Sequence, residues 1–454
     1  MEKQSVKIFF QRTFSGYKFG SSRPGHPSYT NLSIYAFGLS GLWTGVGSGV
    51  LPFKVLQVLE SQNVELLGYG LDKNGALGVI SLVGLIIAAL IQYGSGALSD
   101  RDARIGKRLP YLLIGGLGLA IMTVFLGTAA TFTSLLTVML AMQVFGNFAQ
   151  GPANALIIDH VEPSARGEAS GVLNLWRLLG AGIITVIVLQ FMARYDPTEA
   201  NEWLWYSIFL MIAVLIISVL WTVISARPPK GYFFPSIKNI SPHSNKNHFQ
   251  SPQSSTTKLP ITRGYIAFLV AMAFSIAAMS SMQIYALFFL QDVVGLENPA
   301  DGADLLVVVI VISAGATVLP TGLLADRVGR TKLFAIAGGA GATASFLLLF
   351  AKSIGPVISI GILIGIAVGL FMTLTWTVAN DLVRKKSAAR ELGYTSVATL
   401  VGAAAARLAG IGVDELNDLS ENLGYKAILI FAATTFILAS AILIHVVRNP
   451  TNRA

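Results

Sequence analysis

Twelve apolar runs divide this chain, at approximately 31–53, 75–98, 110–130, 133–158, 168–191, 203–225, 264–289, 304–325, 333–351, 356–380, 392–412 and 424–446. Each is long enough to cross a hydrocarbon layer of about 30 Å as a helix rising about 1.5 Å per residue. Lipid offers no partners for backbone N–H and C=O groups, so runs of this kind fold as helices. Their continuity, with no alternation of apolar and polar positions, excludes a barrel of outer-membrane strands. The expected fold class is all-α: 12 transmembrane helices.

The polar segments between the runs are sided. An even number of spans puts both termini on one side, with the loops near 99–109, 159–167, 227–263, 326–332 and 381–391. That side holds 25 of the 32 lysines and arginines, and the opposite side holds five. The positive-inside rule then places both termini in the cytoplasm of a multi-pass plasma (inner) membrane protein. The acidic clusters Glu60/Glu65/Asp72, Asp196/Glu199/Glu202, Asp292/Glu297/Asp301/Asp304 and Asp414/Glu415/Asp418/Glu421 read as the opposite surface. The formal charge of +9 is thus a feature of one membrane face, and no basic soluble domain exists to bind nucleic acid. The first thirty residues hold five cations but no long apolar core, unlike a cleaved signal peptide. With no cysteine, disulfides and thiolate metal sites are excluded. His26, His243, His248 and His445 lack metal-ligand spacing, so no metal or other cofactor is implied. No nucleophile–base set appears either, which argues against an enzyme.

Two polar hairpins repeat. Gly96-Ala-Leu-Ser-Asp100-Arg101 continues to Gly106-Lys107-Arg108, and Gly322-Leu-Leu-Ala-Asp326-Arg327 continues to Gly329-Arg330-Thr-Lys332. They stand 226 residues apart, each between two apolar runs, as an internal duplication would place them. The stretch 227–263, rich in Ser, Pro, Asn and Lys, is too polar to pack and reads as a flexible tether. The expected organisation is a cytoplasmic tail (1–30), a six-helix bundle (31–226), the tether (227–263), a second six-helix bundle (264–447) and a second tail (448–454).

On these hairpins the sequence resembles the major facilitator superfamily over nearly its whole length. Ser99-Asp100-Arg101-Asp-Ala-Arg104-Ile-Gly106-Lys107-Arg108-Leu-Pro110, Pro152 to Asp159 and Tyr285 to Asp292 look like the branch of sucrose transporters and glycoside–cation symporters. The resemblance implies alternating access by two rocking bundles in a monomer, with a small-molecule substrate, the lipid bilayer and a coupling proton or sodium ion as partners. It implies a cytoplasmic gate in which Asp100 and Asp326 meet helix N-termini and guanidinium groups, with Arg101, Arg108, Arg327 and Arg330 pairing with Asp159, Glu162 and Asp381.

No Asp or Glu falls deep within a predicted span, so the spans give ion coupling no support; it would rest on rim carboxylates or His160, and the alternative is a facilitator or exchanger. Two cations do fall inside spans: Arg177 and Arg407. An unpaired arginine in hydrocarbon is costly, so each faces water, protein or ligand, and either could hold an anionic or hydroxyl-rich substrate. Further polar candidates are Trp43, Asn147, Gln150, Asn154, Gln283, Tyr285, Trp376 and Asn380. Tyr35, Thr44, Ser48, Gln143, Ser281, Thr373 and Thr375 stand in the same spans. Asn147, Gln150 and Asn154 share one helix face. The expected function is transport of a small polar organic solute, a sugar or glycoside first. The alternatives are export or exchange of an amphiphilic or anionic metabolite, and a transport-inactive receptor or assembly protein of the same fold.

Overall fold

A computed structural model describes residues 27–66, 69–100, 108–161, 166–226, 262–382 and 388–448. Within the helices it leaves undescribed the side chains of Asp100, Asp326, Arg327, Trp376, Asn380 and Asp381, while Arg101, Glu162 and most of the tether (227–261) lie outside the described residues altogether.

Twelve helices among the described residues are long and apolar enough to cross a membrane. Spans 1 to 6 are Tyr29–Ser61, Lys73–Gly96, Leu109–Thr128, Phe132–Asn154, Val172–Met192 and Glu202–Ser225. Spans 7 to 12 are Arg263–Ile284, Pro299–Val318, Arg330–Leu348, Ile354–Ala379, Val397–Leu419 and Leu423–Arg448. Outward faces stay apolar where protein does not cover them: Leu90, Ile217, Ile312 and Phe350 are all exposed, as lipid-facing positions must be. Between spans 1 and 2 a short antiparallel pairing sets Glu65 opposite Gly70 and Leu66 opposite Tyr69.

Helix packing repeats between the halves. In the first half span 1 packs on spans 5 and 6, span 4 on spans 2 and 3, and span 3 on span 6. In the second, span 7 packs on spans 11 and 12, span 10 on spans 8 and 9, and span 9 on span 12. The halves meet through span 2 against span 11 and span 5 against span 8, again an equivalent pair. The close approaches are equivalent too. A Cβ on Gly180 would lie 2.1 Å from the Phe37 carbonyl, and one on Gly402 would lie 2.2 Å from that of Ala273. Glycine at these two positions lets neighbouring backbones touch, the packing that transmembrane helices favour.

Several helices run past the predicted limits, and charged residues go with them. Span 1 continues to Ser61, so Lys54, which counts among the loop cations in the sequence, is only 3% exposed. Its ammonium donates to Gln57 Oε1 at 2.8 Å and to the Gly127 carbonyl at 3.3 Å. The helix Pro299–Val328 carries Asp304, and Ala388–Leu419 carries Asp414. Both carboxylates read from sequence as surface acids.

Three spans are not straight α-helices. Span 1 breaks at Ile34 and contains a π-helical turn at Val46–Val50. The helix of span 4 contains Pro152, which has no N–H to give, and ends in a break at Ala155 (φ −89°, ψ −3°) before the short helix Leu156–His160. Beyond span 7, the helix Arg263–Ile284 stops at Tyr285 (φ −97°, ψ 5°) and resumes as Ala286–Asp292.

Candidate functional site

Between the halves lies a cavity of about 480 Å³. Span 1 contributes Thr44 and Ser48, and span 5 contributes Thr185 and Leu189. The second half supplies most of the wall, including Met279, Gln283, Tyr285, Phe289, Val311, Met372 and Tyr425. Ser48 belongs to the π-helical turn, a distortion that recurs at functional sites. The polar groups are few and mostly engaged. Thr44 donates to the Ser40 carbonyl at 2.8 Å, Thr185 donates to Thr44 at 2.8 Å, and Ser281 donates to the Ala278 carbonyl at 3.0 Å. Gln283 is exposed to the cavity and carries an amide able both to donate and to accept.

At the end of the bundle remote from the chain termini, polar contacts join the halves. Lys73 Nζ donates to Asp292 at 2.5 Å and to Gln291 at 3.3 Å. Asn74 donates to Asp414 Oδ1 at 2.7 Å, and the Gly75 N–H donates to Asp414 Oδ2 at 2.7 Å. Tyr425 donates to Asp292 at 2.5 Å and accepts from Asn74 at 3.0 Å. Asp414 thus satisfies an N–H at the start of span 2 from the opposite half, where the helix dipole favours a carboxylate. A second contact set joins spans 5 and 8: Gln190 donates to Asp304, and Asn298 donates to the Ala193 carbonyl.

One helical turn deeper, spans 2, 7 and 11 converge on Tyr285, whose hydroxyl donates to the Arg407 carbonyl at 3.2 Å. A Cβ on Gly410 would fall 1.9 Å from that hydroxyl, and one on Gly78 would fall 2.8 Å from the Arg407 carbonyl. These contacts join the halves on the remote side of Tyr285, a residue of the cavity wall. Hydrogen bonds between described side chains that join the halves all lie there.

Among the sequence candidates, Gln283 and Tyr285 line the cavity; Arg407, Arg177, Asn147, Gln150, Asn154 and Trp43 are not among its described lining residues. Arg407 Nη1 donates to the Ala403 carbonyl at 2.8 Å, its Nε is buried without a partner, and no described carboxylate pairs with it. Arg177 Nη2 donates to Asn154 Oδ1 at 2.5 Å, tying span 5 to the broken end of span 4. The shared face of span 4 is also engaged: Asn147 donates to the Gln143 side chain at 2.9 Å, and Trp43 packs against Gly146.

At the other end, Arg108 Nε donates to Asp159 at 2.6 Å, and Arg108 Nη1 donates to Ser99 at 2.9 Å. This ion pair joins spans 2, 3 and 4 within one half and does not cross to the other. Arg330 begins span 9 directly after Gly329, whose φ of 90° suits glycine. The roles expected of Asp100, Arg101, Asp326, Arg327, Asp381, Trp376 and Asn380 rest on side chains outside the described set. Sequence reading missed Lys73, Asn74, Asp292, Asp304, Asp414 and Tyr425 as inner groups. The available signal was the pair of acids within a few residues of helix ends whose limits are uncertain by a turn.

The model of the Major Facilitator Superfamily matches residues 34–406 and 299–454. The chain belongs to that superfamily. Superfamily members also stand among its likenesses. Over 127 residues it is 32% identical to the minor myo-inositol transporter IolF of Bacillus subtilis (strain 168), a match spanning 28% of this chain and 29% of that transporter's length. The fold is similar to a bacterial homologue of the human lysosomal transporter Spinster in an inward-facing, unoccupied conformation. The TM-score is 0.66 at 15% identity, covering 94% of this chain and 98% of that one. It is also similar to the nucleoside transporter NupG, with a TM-score of 0.64 at 14% identity, covering 93% of this chain and 99% of that one. The superfamily assignment makes this a membrane transporter of small solutes and not an enzyme.

Proposed function

We propose that this protein carries a small sugar-like solute across the plasma (inner) membrane by alternating access, as a monomer with both termini in the cytoplasm. The observation that carries the reading is a cavity between equivalent halves whose side chains bond to each other at one end, which we take as the closed end. With the termini inside, that closed end is the outer face, and the conformer offers its cavity to the cytoplasm. The partial match to a myo-inositol transporter supports a polyol or sugar, and Gln283 is the amide best placed to bind its hydroxyls. Arg407 would serve as a donor to solute, since its buried Nε has no partner in the protein. The halves, 31–226 and 264–447, would move about the cavity with 227–263 as a passive connector. A coupling proton or sodium ion would meet Asp304 and Asp414, two of the described carboxylates within the spans and the two that bond across the halves.

A second reading follows from the cavity wall. Leu306, Val311, Ile364 and Leu429 give it a largely apolar surface, which suits an amphiphilic solute better than a bare sugar. Uptake by liposomes holding the purified protein decides between them, with myo-inositol, glucose, an aryl glucoside and an organic anion as probes. Saturable uptake of myo-inositol or glucose supports the first reading, and uptake restricted to the aryl glucoside or the anion supports the second. No uptake above empty liposomes for any probe, with binding retained, would mean a receptor.

A further inference from the structure

Tyr425 belongs to two structures at once. Its ring lines the cavity and packs edge-on against Phe289, at 6.2 Å between centroids. Its hydroxyl sits inside the clasp at the remote end, donating to Asp292 and accepting from Asn74. Those two partners lie on opposite halves, and each is held by a further contact: Asp292 by Lys73, and Asn74 by Asp414. The hydroxyl is therefore the link that joins the two clasp contacts into one chain, Lys73 to Asp292 to Tyr425 to Asn74 to Asp414. The residue is 2% exposed and Asn74 is 0% exposed, so water cannot readily replace the contact with Asn74, whereas Asp292 keeps 25% side-chain exposure. A donor and acceptor both engaged in a buried site cost most when removed singly.

We propose that Tyr425 is a positioning residue that ties the cavity wall to the outer closure, so that displacement of its ring releases the clasp. This rests on the transport reading only for its purpose. The mechanical claim stands on the contacts themselves. Tyr285, the other wall tyrosine near the closure, does not span both places: it donates to carbonyls of span 11 in its own half.

The chain has no cysteine, so a single Val307→Cys in the cavity wall reports access. Labelling by a membrane-impermeant maleimide applied from the outer side is measured in oriented vesicles. Tyr425→Phe keeps the ring and removes the hydroxyl, and should raise the labelling rate about tenfold, the effect of one hydrogen bond to a charged group. Asp292→Asn should raise it similarly, and the two together should be no faster than either alone, because both cut one chain. Melting temperature measured alongside separates this from general loosening: the expected result is a changed rate with a shift of only a few degrees. An unchanged rate in Tyr425→Phe, or strictly multiplicative effects in the double variant, would overturn the proposal. Since labelling needs no solute, absence of myo-inositol uptake would count against the solute class and leave this result standing.

Discussion

Lys73 and Asp292, 219 positions apart in the chain, meet at 2.5 Å across the interface between the halves. Their side chains keep 22% and 25% exposure, so solvent screens part of the attraction. A double-mutant cycle on Lys73→Met and Asp292→Asn should give a coupling of about 1 kcal/mol in the closed-to-open equilibrium. Added salt should lower that value, as screening requires. A coupling near zero at low salt would show that Tyr425 and Asn74 hold the closure without the ion pair.

Arg108 pairs with Asp159, one of the partners the resemblance implied for it. Its guanidinium fork reaches Asp159 and Ser99 together, within one half. Arg108→Lys loses the planar fork and should destabilise the first half by about 2 kcal/mol, seen as a melting temperature lower by a few degrees. Outer labelling of a cavity cysteine should stay unchanged. A large change in labelling with no loss of heat stability would support a gating role.

For Arg407, Arg407→Lys should weaken solute binding, because lysine lacks the multi-donor fork. Arg407→Gln should insert at least as well as the parent, since it removes a charge costly in lipid, yet transport poorly. Melting temperature with and without myo-inositol checks both variants. Two well-folded variants with the full ligand-induced shift would remove Arg407 from the binding site.

Close packing of spans 7 and 11 depends on Gly402, where a Cβ would lie 2.2 Å from the Ala273 carbonyl. Gly402→Ala should cost about 1–3 kcal/mol through overpacking. Gly412→Ala, on the same helix with nothing within 4 Å, is the control and should be neutral or slightly stabilising. Equal effects at the two positions would mean the contact is not specific.

The spans were legible in the sequence because lipid imposes one rule on every one of them, and apolar length states it directly. The duplicated hairpins foretold the pairing of spans in equivalent sets. The closure was not legible, for two physical reasons. Asp304 and Asp414 stand within a turn or two of helix ends, so a small error in the end moves a carboxylate from the interface to the surface. Asn74 and Asp414 are 340 residues apart, and no local pattern announces such a pairing. The cavity was half legible: Thr44, Ser48, Gln283 and Tyr285 stood out as polar residues in apolar runs. Its apolar wall could not stand out, because apolar residues facing a cavity look the same as those facing lipid. Asn147 and Asn154 stood out in the same way, and their amides are engaged by the neighbouring Gln143 and Arg177.

The breaks near Ala155 and Tyr285, and the π-turn at Val46–Val50, bear on how the bundle can move. A straight helix resists bending because bending pulls apart hydrogen bonds between successive turns. At these three places the regular ladder is already interrupted, so a change of angle there need not sever it. All three lie in or directly beyond spans 1, 4 and 7, while their equivalent, span 10, runs as one helix. The two halves are therefore unequal in stiffness although they match in packing. Opening and closing would then be shared between a swing of whole bundles and a flexing of three of their members, with span 10 as the unbending post.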